Sequence, residues 1–255
     1  MSFVRCSEHN GKPAVEVGNA AVSLKVLTSG GSIVHAGAPG VEINPLWTPP
    51  WSTVPSSLRR VAARDAEKFS QAPADALESQ LLACLGGHNI CCDVFGAHSE
   101  GEVKNAGLSF HGEAGLREWE VTECTDDSVT MTCYLRQSQL QVSRTYTPAP
   151  DGAAVVKVTE MLKNLIGSDR ALGRSQHVTL GAELLEGGCR FSSNCDKGAT
   201  WPEDNGDESF WAVGKEFDGA AIPRKDGGTD DWGTFPRAQL HAAIPTTTRF
   251  PGVCL

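Results

Sequence analysis

The sequence predicts an all-β protein, an antiparallel β-sandwich with a short helical insertion near residues 56–84. Three observations support this prediction. From residue 118 onward, strand-like segments follow one another with turns between them and no helical periodicity. Shorter β-like runs separated by glycine-containing turns fill much of the first 36 residues. A chain of 255 residues, 40% of them hydrophobic, is also long enough for one large sandwich. We therefore expect a single domain over residues 1–255.

The first third of the chain predicts a meander followed by a loop and two helices. Three β-like runs lie at 14–17, 21–27 and 32–36. Residues 44–51 contain three prolines and two tryptophans, and proline lacks an N–H donor and restricts the residue before it, so this segment is expected to be a rigid loop. The helical stretches are at 56–69 and 73–84, and Gly86 and Gly87 end the second.

The second half is dominated by predicted strands. They lie at 118–123, 128–135, 139–147, 153–165 and 171–180. Asp126 and Asp127, residues 148–152 and residues 166–169 supply the turns. Closely spaced strands without helices between them favour antiparallel sheets packed as a sandwich. After Leu185 the pattern fades into a Gly- and Asp-rich tract, and the tail at 243–255 is expected to be neither a closing strand nor a capping helix.

Charge and cysteine content narrow the class of partner. With 31 acidic and 22 basic residues the net charge is −9, the wrong sign for binding nucleic acid through its phosphates, so a neutral small molecule fits better. Nine cysteines without a C-x-x-C pair predict reduced thiols and no metal site.

The N-terminus lacks an apolar signal region and no run of eighteen apolar residues occurs, so we expect a cytoplasmic protein with no membrane partner.

Two histidines stand in contexts that suit proton transfer near neutral pH. His111 lies in a glycine-flanked loop with Glu113 two residues on, and His177 lies in an apolar strand, where an imidazole needs a partner or a cavity. For each histidine, a structural role with its hydrogen bonds satisfied is an equally good interpretation. Other chemistries lack their motifs, since no zinc deaminase P-C-x-x-C, no phosphate-binding loop and no G-x-S-x-G elbow occurs.

Four stretches together resemble one known family. They are Asn44-Pro-Leu-Trp47 with Pro50-Trp51, the segment from Gly87-His88-Asn89 to Gly96, His111-Gly112-Glu113-Ala114, and the segment from Leu162-Lys-Asn164 to Gln176-His177. In this order and spacing they look like the aldose 1-epimerase (galactose mutarotase-like) family, over roughly residues 14–190. The resemblance implies an antiparallel β-sandwich of galactose mutarotase-like type whose concave face binds a monosaccharide.

The resemblance also implies a mechanism and a set of site residues. His177 matches the general acid that protonates the ring oxygen, and His111 matches the assisting histidine, while a glutamate from a late strand would deprotonate the anomeric hydroxyl. No counterpart of that glutamate is identified, and the chain is expected to be C-terminally truncated, without its last strands. No cofactor is needed. Predicted substrate-binding residues are Asn89, Asp93, Glu113, Trp119, Gln176 and Asp231, with Trp119 as a sugar-stacking wall and Asn89 or Asp93 replacing a sugar-binding arginine that the family commonly has.

Three further interpretations remain open at the level of sequence. The chain could be a non-catalytic sugar-binding protein or a truncated inactive relative. It could also be a sugar-phosphate epimerase of the same fold, which would bring several arginines to the pocket. If the last strands are absent, the sheet edge that they leave exposed would favour self-association.

Overall fold

The structure is a computed structural model that describes residues 1–64, 77–96, 99–101, 107–186, 197–200, 202, 211–218, 221–231 and 253–254. The chain divides into two compact units, Met1–Gly181 and Ala182–Leu255. The predicted sandwich and both candidate histidines belong to the first unit. The single domain expected over residues 1–255 stays a prediction.

The described residues of the first unit form ten strands. In chain order they are β1 (Phe3–His9), β2 (Lys12–Gly18), β3 (Ser23–Leu27), β4 (Ile33–Gly37), β5 (His88–Asp93), β6 (Glu120–Cys124), β7 (Val129–Leu135), β8 (Leu140–Pro148), β9 (Val156–Asn164) and β10 (Gly173–Val178). They form one six-stranded sheet in the order β1-β2-β3-β4-β5-β10 and one four-stranded sheet in the order β6-β7-β8-β9. All neighbouring strands are antiparallel.

A continuous hydrophobic cluster joins the two sheets. Val17, Val26 and Ile90 contribute to it from the six-stranded sheet, and Met131 and Val142 contribute from the four-stranded sheet. All five side chains are fully buried, which is the arrangement that lets each sheet cover the apolar face of the other. The predicted antiparallel β-sandwich is therefore confirmed.

The helical insertion is also present, in shorter pieces than predicted. A 3₁₀ turn at Ser56–Leu58 leads into the helix α1 (Arg59–Ala62), and a second helix, α2, spans Leu77–Leu82. Residues 65–76, which the predicted helices include, lie outside the described residues. None of the described helices is long and apolar enough to cross a membrane.

Two strands were missed in the sequence. The strand β1 precedes the first predicted run, and β5 occupies the segment after Gly86 and Gly87. Five of the six residues of β5 are buried, so it lacks the polar alternation by which a half-exposed strand is recognised. Cys91 and Cys92 fall on this strand, and the six cysteines that the structure assigns as free thiols include both of them.

The second unit contains short elements. They are a helix at Ala182–Glu186 and the strands β11 (Lys197–Thr200), β12 (Glu216–Asp218), β13 (Ala221–Pro223), β14 (Thr229–Asp231) and β15 (Val253–Cys254). The expectation that the tail contains no closing strand is wrong for its last described residues, because β15 pairs with β11. In the first unit, β1 and β10 are the edges of the six-stranded sheet, and the self-association expected at an exposed edge stays a prediction.

Candidate active site

The candidate site is built on β5 and β10, the last two strands of the six-stranded sheet. The strands pair with His177 directly opposite Asn89. Side chains alternate along a strand, and Ile90 and Cys92 of β5 belong to the core cluster between the sheets. Asn89, Asp93 and His177 consequently share the outer face of the sheet. The two strands thus place a histidine and two polar side chains on one surface.

A tight loop brings His111 to the same region. Its backbone is left-handed, with φ of 59° at His111 and 79° at Gly112. The Gly112 N–H donates to the Ser109 carbonyl at 2.9 Å, and the Glu113 N–H donates to the Cys92 carbonyl at 2.9 Å. A Cβ at Gly112 would lie 2.0 Å from the Cys92 oxygen. Only glycine therefore allows the loop to approach β5 this closely.

Hydrogen bonds fix the His111 ring and its tautomer. The His111 backbone N–H donates to the Gly96 carbonyl, and the Gly96 N–H donates back to His111 Nδ1, both at 2.8 Å. A nitrogen that accepts a hydrogen bond carries no proton, so the neutral ring of His111 carries its proton on Nε2. His111 is in this way oriented as an N–H donor.

The two histidine rings meet in an aromatic cluster. The centroids of His111 and His177 are 5.3 Å apart with the planes at 68°. Phe95 packs against both rings, with centroid distances of 4.9 Å to His111 and 5.8 Å to His177. Phe110 lies edge-on to His111 at 4.2 Å. The side chain of Phe95 is 41% exposed, so the cluster borders solvent.

His177 is held less tightly than His111. Its Nδ1 lies 3.3 Å from the Thr179 hydroxyl oxygen, and either atom can be the donor. Burial lowers the pKa of His177 below its usual value, which favours the neutral imidazole near pH 7. The site therefore holds one histidine with a fixed Nε2–H and a second whose tautomer can adapt to a ligand.

Two buried acceptor oxygens lie on the same face as His177. Among the described residues, Asn89 Oδ1 and Asp93 Oδ1 have no hydrogen-bond partner. The other Asp93 oxygen forms an ion pair with Arg170, which also donates to the Ser138 carbonyl. A buried acceptor without a donor is costly, roughly 1–3 kcal/mol, so each oxygen calls for a donor from water or from a ligand.

Two predicted binding residues have structural roles instead. Glu113 is 1% exposed, and its carboxylate is bound by the Arg117 side chain and, at 2.8 Å, by the Ser138 N–H. Trp119 is 3% exposed in the core cluster, with its indole N–H donating to the Ala114 carbonyl at 3.0 Å. With its ring enclosed by the core, Trp119 is not a sugar-stacking wall, and the correction follows from its position between the sheets.

The other two predicted binding residues are Gln176 and Asp231. Gln176 precedes His177 on β10, so its side chain points to the opposite face, where it donates to Glu160 Oε1 at 2.8 Å and contacts His88 Nε2 at 2.6 Å. Gln176 therefore does not share the face of His177, and its role in substrate binding stays a prediction. Asp231 is an exposed residue of β14 in the second unit, and its role in sugar binding stays a prediction.

Sequence reasoning missed four residues at the site, namely Phe95, Phe110, Arg170 and Thr179. Thr179 could have been found from its position two residues beyond His177, on the same face of an extended chain. Arg170 precedes β10 by three positions, and the register that sets Gly173 opposite Asp93 brings it near that carboxylate. No local pattern around Arg170 signals this pairing.

Within the described ranges, no group of three or more His, Cys, Asp or Glu residues is placed to hold a metal ion.

Comparisons with known proteins gave structural matches and no sequence matches. No protein-family model and no curated protein matches the chain. A candidate mutarotase from Salmonella typhimurium is similar at 11% identity and a TM-score of 0.49, covering 90% of this chain and 63% of its own. A candidate aldose 1-epimerase from Escherichia coli K12 is similar at 14% identity and a TM-score of 0.45, covering 92% of this chain and 67% of its own. The chain spans about two thirds of the length of each.

Proposed function

We propose that the chain is an aldose 1-epimerase-like protein that binds a monosaccharide at His111 and His177. The observation that supports this most directly is the pair of histidine rings 5.3 Å apart beside the partly exposed ring of Phe95. The His111 Nε2–H can donate to a ring or hydroxyl oxygen, and the Phe95 ring offers an apolar surface to the C–H face of a sugar. A hexose needs both kinds of contact.

The polar side chains next to the cluster suit a neutral ligand. Asn89 Oδ1 and Asp93 Oδ1 are acceptors, and sugar hydroxyls or waters that they hold can serve as their donors. The arginines here are already neutralised, since Arg117 pairs with Glu113 and Arg170 pairs with Asp93. A sugar phosphate would need arginines available for its charge, so the described residues favour an uncharged sugar.

Binding is tested by calorimetric titration with galactose and glucose. We expect saturable binding by the wild-type protein and loss of most of the heat in His111→Ala and His177→Ala. The matched control is His35→Gln, a half-buried histidine on β4 that takes no part in the cluster. Equal titration curves for wild type and both cluster variants would overturn the proposal.

Anomer interconversion is the second candidate function, favoured by the spacing of the two histidines. A protonated His177 would give its proton to the ring oxygen as the C1–O bond breaks, while His111 holds that oxygen, and a base would take the proton of the anomeric hydroxyl. Asp93 is the carboxylate on this face, but it lies four residues from Asn89 along β5. This spacing separates their Cα atoms by about 13 Å. The base that this reaction needs is therefore not assigned to a residue.

A coupled assay of anomer interconversion separates binding from catalysis. If the histidines catalyse ring opening, His177→Ala should lower the protein-dependent rate by roughly 10²-fold or more, while His35→Gln keeps the wild-type rate. If the protein binds sugar but the rate of anomer interconversion equals that in buffer alone, the protein is a non-catalytic sugar-binding protein. A rate that is the same in wild type and His177→Ala would exclude His177 as the acid.

A further inference from the structure

A second cleft lies at the turn between β1 and β2, and it takes no part in the proposed sugar site. Its polar lining comes from His9, Asn10 and Lys12 of the hairpin and from Thr48 and Thr53 of the following loop, with Trp47 as an apolar wall. The space measures about 240 Å³, including the part that is open to solvent. The enclosed part has room for about one water, so a ligand group would occupy the part of the cleft that is open to solvent.

Lys12 is the unusual residue of this cleft. It is only 4% exposed, although lysine is almost never buried without a partner of opposite charge. Its ammonium donates to the Thr53 hydroxyl, and no carboxylate of the described residues forms an ion pair with it. An ammonium has three N–H donors, so a single neutral hydroxyl leaves both its charge and its hydrogen-bonding capacity unmatched.

The described residues around Lys12 add no negative charge. Cys84 is the titratable group whose thiolate would act on it, but burial raises the pKa of Cys84 to about 12, so the thiol is neutral. Burial and the nearby charges of Lys12 and Lys25 lower the pKa of His9. Burial likewise lowers the pKa of Lys12 itself. Among the described residues, no anionic group thus offsets the charge of the Lys12 ammonium.

We propose that Lys12 binds a small oxyanion, a phosphate or carboxylate group, in the cleft formed with Thr53 and Trp47. An oxyanion carries several acceptor oxygens and a negative charge, which are the two properties that the ammonium is missing. The Asn10 amide and the His9 ring border the same space and can supply further donors. Trp47 offers its ring to whatever apolar part the ligand has.

This site is separate from the histidine cluster. Lys12 is on β2 and His177 is on β10, and three strands lie between them in the sheet. At about 4.8 Å per strand the two strands are roughly 19 Å apart. The inference therefore does not rest on the proposed sugar binding, and either can fail without the other.

The test measures binding of inorganic phosphate and of acetate at constant ionic strength, with chloride as the reference anion. Calorimetry on the wild-type protein should show saturable binding of at least one oxyanion. We expect Lys12→Met to bind it about tenfold more weakly or worse, because a charge-assisted contact is lost. Lys25→Met is the matched control, since it removes a neighbouring lysine of the same sheet, and it should bind almost as the wild type does.

The comparison of phosphate with acetate identifies the ligand chemistry. A second measurement, on the wild-type protein, tests the proposal even if Lys12→Met does not fold. Binding of phosphate alone assigns a phosphate group, and binding of acetate assigns a carboxylate. NMR of the wild-type protein should show the pKa of the Lys12 ammonium rising when the oxyanion is added. Absence of saturable binding to either oxyanion, or equal binding by Lys12→Met and wild type, would overturn the proposal.

Discussion

The guanidinium of Arg144 lies against the carboxylate of Glu160, with Nε 2.8 Å from Oε1, and the two side chains are only 1% and 6% exposed. The residues sit opposite each other on β8 and β9. From the other sheet, Arg174 and Gln176 of β10 also bind the Glu160 carboxylate. One buried acid therefore links the edge strand β10, which holds His177, to the four-stranded sheet.

Replacing this carboxylate should destabilise the first unit. Glu160→Gln leaves the buried charge of Arg144 without its partner, and breaking such a pair costs about 3–5 kcal/mol in the free energy of unfolding. Urea denaturation followed by circular dichroism measures the change. Glu123→Gln is the control, because Glu123 is an exposed residue on β6 and its change should stay within about 0.5 kcal/mol. Equal losses in the two variants would contradict the role given to Glu160.

The same carboxylate predicts a loss of stability in acid. Burial alone would raise the pKa of Glu160, but Gln176, Arg144 and Arg174 outweigh it and hold the pKa below its usual value. A folded-state pKa below the unfolded value gives stability that is complete above the unfolded pKa, about 4.3, and lost as pH falls through the folded pKa. The stability of wild type and Glu160→Gln should converge below that range. Urea midpoints measured from pH 7 to pH 3 test this, and a constant gap would refute it.

His177 should titrate below the ordinary range for histidine. Burial lowers its pKa, so NMR of the ring protons should place the midpoint under 6.5. If His177 is the acid in anomer interconversion, the rate should fall as pH rises through this midpoint, because the protonated ring is lost. A midpoint at or above 6.5 would show that the ring is not desolvated.

Gly112 and Gly152 provide a matched pair for the loop that holds His111. Their φ angles are 79° and 80°, but a Cβ at Gly152 meets no atom within 4 Å, whereas one at Gly112 lies 2.0 Å from the Cys92 oxygen. Gly152→Ala should cost only the strain of a left-handed residue, about 1–2 kcal/mol. Gly112→Ala should cost clearly more and should also weaken sugar binding. Similar unfolding energies for the two variants would contradict the close approach.

Exposed cysteines should react with a thiol reagent faster than buried cysteines. Burial raises the pKa to about 12 for four thiols, those of Cys84, Cys91, Cys92 and Cys133. Cys6 and Cys124 are exposed. Because the thiolate is the reactive form, brief iodoacetamide treatment followed by peptide mass spectrometry should find label on the two exposed cysteines well before the four buried ones. Labelling in urea is the control, in which all six should react alike.

The sandwich was predictable because its strands follow the period of two. On β7 the buried residues Val129, Met131, Cys133 and Leu135 alternate along the strand, and a turn at Asp126 and Asp127 precedes them. The strand β5 escaped prediction since it is buried along nearly its whole length. Its burial removes the contrast between polar and apolar positions on which the pattern depends.

The candidate site was predictable in part. The family resemblance predicts His111 and His177 in one site, and their ring centroids are 5.3 Å apart. The opposite orientation of Gln176 follows from the alternation of side chains along β10, a rule that applies to the sequence alone. The contact of Arg170 with Asp93 depends on the path of a loop, and no periodicity encodes such a path.

The pairing of β5 with β10 has a consequence for folding. His88 and Gln176, which contact each other across these strands, are 88 positions apart in the sequence, whereas β1–β4 and β6–β9 are connected by short hairpins. Closing a long loop costs entropy that local hairpins do not, so distant pairs form later. We therefore expect the surface bearing His177 to be completed last during folding. The same strand pair would be among the first to exchange its amide hydrogens in native-state experiments, leaving the two meanders protected.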